Sequence, residues 1–191
     1  MSQESSYLDR EALLQRIAAG WEPRFVFFWG HSAGADESIG KACLSQWFPA
    51  SFVLAGTTYP TAEHYMMAQK ARLFGDDDAA TLILGCSHPA EAKELGRRVR
   101  GFDVHLWGQH RVRIVAEGSY AKFSQNPALG AFLIGTHEHV LVEASPKDTI
   151  WGVGLAENDP HVRDPRRWRG LNLLGFALMH ARARLLAERV R

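Results

Sequence analysis

The chain has 191 residues, of which 46% are hydrophobic and 23% charged, and its formal net charge is +1 at pH 7. This balance is typical of one globular domain with a real core. This composition excludes a disordered chain. Because the net charge is close to zero, it indicates no partner of strong opposite charge. The eight arginines in residues 160–191, against two acidic residues, suit either a phosphate site or a solvated helix face.

Up to residue 74 the pattern mixes helices with short strands. Helical spacing of apolar residues predicts a helix over 8–19 that packs on the domain, and an aromatic, β-branched run predicts a strand over 24–29. Gly, Ser and Asp predict a loop over 30–40, long enough to be functional or mobile. A hairpin or strand is expected over 52–59, and a helix over 60–74.

After residue 74 helices dominate. Helices are predicted over residues 79–84, 89–99, 102–117 and 123–133. A strand follows over 139–144, then a loop over 145–170 and a long helix over 171–189. Because regular strands do not separate the helices, a doubly wound parallel sheet is not expected. We predict an α+β fold: a mostly helical single domain with a small β-sheet.

The cysteine pattern and the hydropathy bear on location. Cys43 and Cys86 lie far apart and outside any CxxC pattern, so they form either one disulfide or two free thiols of a reducing cytosol. No apolar stretch approaches the roughly 20 residues of a membrane helix, and no secretory signal is visible. We predict a cytoplasmic protein with free thiols.

Two charged residues interrupt the apolar face of the helix predicted over 60–74. Glu63 and Lys70 are two turns apart, with Cα atoms about 10.5 Å from each other. They could complement the helix dipole and reach out to water, respectively. They could instead line one cleft, where a desolvated lysine is a nucleophile able to form a Schiff base and a carboxylate of raised pKa is a general acid.

The stretch EASPKDTIWGVG joins the end of a predicted strand to a polar turn. Asp148 precedes Trp151 by three residues, which suits a site that stacks a base or grips a ribose hydroxyl. Gly152 and Gly154 would let the backbone approach a ligand closely, although a phosphate loop would need a third glycine and a following helix. The alternative is a turn with a packing Trp.

Other candidate residues are less specific. Trp107 and Arg111, four residues apart on one predicted helix, either present an aromatic plate and a cation to one ligand or are core and surface residues. Ser45 lacks the G-x-S-x-G context of a nucleophile and is considered only for substrate binding. His137 and His139 have no third ligand nearby. No metal and no cofactor are predicted.

Seven stretches, in order, resemble the motifs of the NADAR family, also called YbiA-like. They are FFWGH, CLSQWFPASF, YPTAEHYMMAQKA, FDVHLWGQHR, AKFSQNPALGAFLIGT, LVEASPKDTIWGVGL and WRGLNLLGFALMHAR. The resemblance covers about residues 25–185. The segment before it lies outside the pattern, so we predict an N-terminal helix extension over 1–24 and the family domain over 25–191.

The resemblance implies an activity and roles for several residues. Members of that family are N-glycosidases: some act on early riboflavin intermediates, and others remove ADP-ribose from guanine bases of nucleic acid. The family's Schiff-base lysine falls on Lys70 and its glutamate on Glu63. Substrate-pocket positions fall on Trp107, Asp148 and Trp151.

We therefore expect a hydrolase of the ribosyl C1′–N bond, with Lys70 as nucleophile, Glu63 as acid/base and Asp148 orienting a ribose hydroxyl. The substrate is either ADP-ribosylated guanine in nucleic acid or a ribosylamino-pyrimidine phosphate of riboflavin biosynthesis. The alternative is a non-catalytic module that binds ADP-ribose or a nucleotide. No obligatory protein partner and no membrane are inferred.

Overall fold

The computed structural model of the protein describes residues 9–30 and 39–189. The α-helices in this part of the chain are α1 (Arg10–Ala18), α2 (Ala62–Leu73), α3 (Asp77–Gly85), α4 (Pro89–Arg97), α5 (Val104–Gln125), α6 (Pro127–Gly135) and α7 (Leu173–Arg189). The strands are β1 (Phe25–Phe28), β2 (Phe52–Leu54), β3 (Thr57–Tyr59) and β4 (Val140–Glu143). Short 3-10 turns lie at Lys41–Leu44 and Pro165–Arg167. The predicted α+β class, mostly helical with little sheet, is confirmed.

Helix starts follow from side-chain caps. The Thr61 side chain accepts a hydrogen bond from the His64 amide at the start of α2, and Asp103 accepts one from the Leu106 amide at the start of α5. Such caps satisfy amides that have no partner within the helix. The cap at Thr61 fixes the first turn of α2, which carries Glu63.

Two small sheets contribute to the core. β1 and β4 pair in parallel, from Phe25 opposite Val140 to Phe28 opposite Glu143, and β2 and β3 form an antiparallel hairpin. Val140 and its two successors are fully buried, and α7 packs on both β4 and α5. The parallel pair therefore buries β4 up to Val142 and leaves Glu143, its last residue, partly buried.

The outer edge of β4 is closed by a side chain. The Asn172 amide donates to the Leu141 carbonyl at 2.9 Å and accepts from the Glu143 amide at 3.0 Å. The Val153 amide donates to the Glu143 carbonyl at 3.0 Å. Asn172 is fully buried and has φ 56°, a left-handed conformation that asparagine tolerates better than most residues. Because this left-handed conformation is not helical, α7 begins at Leu173 and not at Leu171 as predicted.

α2 and α4 approach each other closely at Gly96. A Cβ on Gly96 would come within 2.8 Å of the Met67 Cγ atom, and the Lys70 Nζ atom donates to the Gly96 carbonyl at 2.7 Å. This carbonyl is one of the last in α4, where the helix leaves acceptors unsatisfied and favours a cation. Lys70 therefore fastens α4 to α2.

Gly96→Ala is expected to lower the free energy of unfolding by about 1–3 kcal/mol, because the added methyl must displace Met67 in a packed core. Urea unfolding of wild type and variant measures the change. Gly108→Ala is the matched control, since a Cβ there meets nothing within 4 Å, and it should be neutral or stabilising. Equal stability of both variants would contradict this account of the contact.

Some predicted boundaries are wrong. The helices predicted over 102–117 and 123–133 are divided differently, since α5 runs unbroken to Gln125. Gly118 does not end a helix; its missing side chain makes room for Tyr65, whose Cε1 atom lies 2.7 Å from the position of a Cβ. The loop predicted over 30–40 falls mostly outside the described residues, at 31–38.

Several features bear on the remaining predictions. Cys43 and Cys86 are free thiols. Across residues 9–30 and 39–189, each helix is too short or too polar to span a lipid bilayer; location in the cytoplasm stays a prediction. α1 is tied to the domain by Arg10, which donates to the Pro165 and Trp168 carbonyls at 2.9 and 3.0 Å. The boundary between an extension over 1–24 and a domain over 25–191 stays a proposal.

Candidate active site

A cavity of about 170 Å³ lies beside the first turns of α2. Its lining includes Ser45, Trp47, Glu63, Met66, Met67, Lys93, Glu143, Asp148, Ile150 and Trp151. Many of the same residues line a wider chamber of about 640 Å³, which adds Trp29, Arg97 and Lys147. Three carboxylates and a lysine thus share a small cavity that opens into a chamber with two further cations.

Glu63 is 3% exposed in the first turn of α2. Its backbone amide donates to the Gln46 carbonyl at 3.0 Å, and the Trp47 side chain hydrogen-bonds its carboxylate. The Oε1 atom is buried without a hydrogen-bond partner among the described residues. Burial raises the pKa of Glu63 to about 7, against the opposing effects of Lys93 and Trp47. Near neutral pH this carboxyl can therefore hold a proton.

Glu143, the last residue of β4, is a second buried carboxyl in the cavity. Its Oε2 atom is buried and unpartnered within the part of the chain that the structure describes. Burial, with the neighbouring Asp148 charge, raises the pKa of Glu143 to about 8, although Lys93 opposes this. Sequence reasoning missed its role, although an acidic residue that ends an apolar strand was a signal for it.

Lys93 was not among the predicted site residues. It is half-buried on α4, and its Nζ atom lies 5.6 Å from the centre of the Trp47 ring. Its charge acts on both Glu63 and Glu143. On a helical wheel, Lys93 is an ordinary polar residue, so only the packing of α4 against α2 reveals its place.

Asp148 and Trp151 lie in the cavity lining. The Asp148 Oδ1 atom accepts from the Ile150 and Trp151 amides at 2.9 and 2.7 Å, which fixes the turn and aims the carboxylate. Gly152 serves close packing instead of ligand approach, since a Cβ there would lie 2.9 Å from the Glu143 carbonyl. This close packing at Gly152 places the turn directly against the end of β4.

Glu63 and Lys70, expected to share one cleft, do not both line this cavity: its lining includes Glu63 and not Lys70. Lys70 lies outside the described lining of the cavity: its Nζ atom bonds the Gly96 carbonyl and sits 4.1 Å from the Phe102 ring centre. Burial lowers the pKa of Lys70 as predicted, yet its Nζ atom is bound to the C-terminal part of α4. A helical wheel cannot show this contact between two helices.

Trp107 and Arg111 lie on the Lys70 side of the molecule. The Lys70 Nζ atom is 5.9 Å from the Trp107 ring centre, and Trp107 is 8% exposed, as a core residue would be. The Arg111 Nε atom is buried and unpartnered within residues 9–30 and 39–189. The structure therefore brings Ser45, Glu63, Asp148 and Trp151 together and sets Lys70, Trp107 and Arg111 apart from them.

Glu143→Gln is expected to change how stability depends on pH. Between the ordinary carboxyl pKa of 4.5 and about 8, folded Glu143 holds a proton that the unfolded chain releases. Stability is therefore lost as pH rises through this window. The variant should gain about 2–4 kcal/mol over wild type between pH 4.5 and pH 8.

Urea unfolding at pH 4.5, 6 and 8 measures this difference. Glu22→Gln is the matched control, because Glu22 is exposed, and its stability should follow wild type at each pH. If wild type and Glu143→Gln show the same pH slope, the buried Glu143 carboxyl is not the source of the proton linkage.

The fold and the cavity define a small α+β protein with a candidate acid–base site at the junction of α2, α4 and β4. Residues 27–186 match the family model described as the NADAR domain. The chain belongs to the NADAR family, so the resemblance carried by its seven motifs is confirmed.

Relatives of known name give this family a context. An N-glycosidase of Acanthamoeba polyphaga mimivirus is 44% identical over 164 residues, which are 83% of this chain and 95% of that protein. The NMR structure of the Escherichia coli protein YbiA matches with a TM-score of 0.69 and 27% identity, over 90% of each chain. A riboflavin biosynthesis protein of Vibrio vulnificus is 34% identical over 150 residues, 78% of this chain but 36% of that longer protein.

Proposed function

We infer that this chain is an N-glycosidase, a hydrolase of N-glycosyl bonds. The observation that carries this inference is a buried carboxyl with a pKa near neutrality, Glu63, in one cavity with Lys93. Cleavage of a C1′–N bond needs a proton for the leaving nitrogen and a group that attacks C1′. Glu63 and Lys93 supply these two functions, and relatives named N-glycosidase support the reaction class.

The cavity argues against a module that only binds. Burying a carboxyl oxygen without a partner is unfavourable by several kcal/mol in general, and Glu63 and Glu143 each bury one such oxygen among the described residues. Binding of ADP-ribose or a nucleotide gives no reason to keep two acids that each bury an unpartnered oxygen. Proton transfer during bond cleavage does, since strained or unsatisfied groups cluster at catalytic sites.

We propose that Lys93, in place of Lys70, is the covalent nucleophile. A proton passes from Glu63 to the leaving nitrogen, and the electron pair of the C1′–N bond departs with the base. Glu143, when ionised, takes a proton from the Lys93 ammonium. The lone pair that this frees on Nζ then forms a bond to C1′.

The ring C1′–O bond then opens, which leaves an imine between C1′ and Nζ. Water adds to C1′ and expels the amine, so the net change is hydrolysis and Lys93 is regenerated. The second oxygen of Asp148 orients a ribose hydroxyl, and Trp151 packs on the substrate. This mechanism differs from that of a two-carboxylate glycosidase in its nitrogen nucleophile.

We propose a phosphorylated ribosyl substrate for this site. Arg97 and Lys147 line the outer chamber, and such cations bind phosphate. Among the arginines of residues 160–191, Arg182 is already engaged, because it donates to Thr136 Oγ1 and the His139 carbonyl inside the protein. Both ADP-ribosylated guanine in nucleic acid and a ribosylamino-pyrimidine phosphate fit; a relative named for riboflavin biosynthesis favours the second.

The test is a product assay of one preparation on both substrates. Released ADP-ribose with restored guanine identifies the first substrate, and released ribose 5-phosphate identifies the second. Glu63→Gln, assayed in parallel, should release either product about 10²–10³-fold more slowly. Tight binding of ADP-ribose without release of any product would favour the non-catalytic module instead.

A further inference from the structure

Lys122 is a buried lysine of α5 outside the cavity. It is 1% exposed, and its Nζ atom donates to the Cys43 and Ser45 carbonyls at 2.8 and 2.9 Å. Phe48 and Phe123 flank it, with ring centres 5.5 and 5.2 Å from Nζ. Lysine is among the residues least often fully buried, so this placement calls for a reason.

The two carbonyls that Lys122 binds lie in or just before the segment that lines the cavity, since Ser45, Gln46 and Trp47 are lining residues. Ser45 Oγ accepts from the Trp47 amide at 3.1 Å, and the Gln46 carbonyl accepts from the Glu63 amide at 3.0 Å. The Trp47 side chain then hydrogen-bonds the Glu63 carboxylate. An unbroken chain of hydrogen bonds and covalent bonds therefore connects the Lys122 Nζ atom to the proposed acid.

We propose that Lys122 is a positioning residue: by holding the Cys43 and Ser45 carbonyls, it fixes Trp47 against Glu63. Residues 45–47 lie outside regular structure, because the preceding 3-10 turn ends at Leu44. A donor with two backbone acceptors gives this short segment a fixed point that an apolar side chain would not supply.

Lys122 could change the pKa of Glu63 directly, through its charge, or indirectly, through Trp47. The charged groups near each residue distinguish these two routes. Burial lowers the pKa of Lys122 to about 7, and the neighbouring Cys43 thiol has its pKa raised by burial to about 11. The charged groups that act on Glu63, from α4 and from β4 and its following turn, are Lys93, Asp148, Arg97 and Glu143. An effect of Lys122 on Glu63 is therefore expected to pass through Trp47.

The direction of this effect can be stated. The Trp47 hydrogen bond lowers the pKa of Glu63 by stabilising the carboxylate. When Trp47 is released, the pKa of Glu63 should rise. Loss of one hydrogen bond to a charged group should move it by about half to one pH unit.

The inference rests on the proposed role of Glu63 as the acid, but the experiment measures the pKa of Glu63 directly and needs no catalysis. Protein labelled with ¹³C at the glutamate carboxyls is titrated by NMR without substrate, and the Glu63 signal is assigned by its absence in Glu63→Gln. Lys122→Met and Trp47→Phe should each raise the Glu63 pKa by a similar amount. The double variant should raise it no further, because both act through one contact.

A Glu63 titration that is unchanged in Lys122→Met but raised in Trp47→Phe would overturn the proposal and leave Lys122 a purely structural residue. If Lys122→Met does not fold, Lys122→Gln keeps one amide donor and should give a smaller shift in the same direction; no shift in that folded variant would also overturn it. The alkaline limb of the pH–rate profile should follow the NMR value. Absence of any hydrolysis by wild type would refute the proposed function and leave the NMR result standing.

Discussion

Lys93→Met is expected to lower kcat by about 10⁴-fold, an effect of the order that follows loss of a covalent nucleophile. Methionine keeps the apolar stem of the side chain, so α4 should still pack on α2. Lys93→Arg should be equally inactive, because a guanidinium stays protonated and cannot attack C1′. Borohydride added during turnover should reduce the imine to a secondary amine, which peptide mass mapping locates on Lys93.

Lys70→Arg is the matched control for this experiment. Arginine can still donate to the Gly96 carbonyl that Lys70 binds at 2.7 Å, so we expect activity within about threefold of wild type. Lys70→Met should instead lower the free energy of unfolding by about 1 kcal/mol through loss of that bond. A borohydride adduct on Lys70 would identify Lys70 as the nucleophile. Wild-type turnover by Lys93→Met would exclude Lys93 from that role.

Glu63→Gln is expected to lower kcat by about 10²–10³-fold, the range for loss of a general acid. KM should change little, because glutamine keeps the shape of the side chain. The pKa of Glu63 lies at about 7, so the wild-type rate should fall as pH rises through that value and the acid loses its proton. The variant should lack this alkaline limb. Stopped assays of product between pH 5 and 9 measure both effects.

Glu91→Gln controls for loss of a carboxyl elsewhere, since Glu91 is exposed on α4, and it should keep the wild-type profile. An alkaline limb that persists in Glu63→Gln would assign the acid to another group. Glu143 is the next candidate, with its pKa at about 8. Because the two carboxyls interact, the wild-type limb reports the pair, and only the variants separate them.

Local sequence patterns predicted the class of fold and pointed to two of the four charged residues in the cavity lining, Glu63 and Asp148. Glu63 was found because a carboxylate on an apolar helix face must be buried, and Asp148 because it opens a turn before Trp151. Both properties belong to a single element or turn. The same reasoning failed for Lys70, because its face of α2 is shared between the cavity and the C-terminal end of α4.

The residues missed by sequence reasoning are those whose role depends on contacts between distant elements. Lys93 enters the cavity because Gly96 lets α4 approach Met67 closely. Glu143 enters it because the parallel pairing with β1 buries β4. Helical periodicity and strand composition predict which residues are apolar or polar on each element, but not which elements will meet.

The Asn172 amide has a consequence for the protein beyond its site. Exposed strand edges offer unpaired amides and carbonyls to other chains, and they are common starting points of aggregation. Here β1 occupies one edge of β4, while Asn172 and Val153 bond Leu141 and Glu143 on the other. A side chain thus acts as the final strand of the sheet. A partly unfolded copy that approached this edge of β4 would find the Leu141 carbonyl and both backbone groups of Glu143 already hydrogen-bonded.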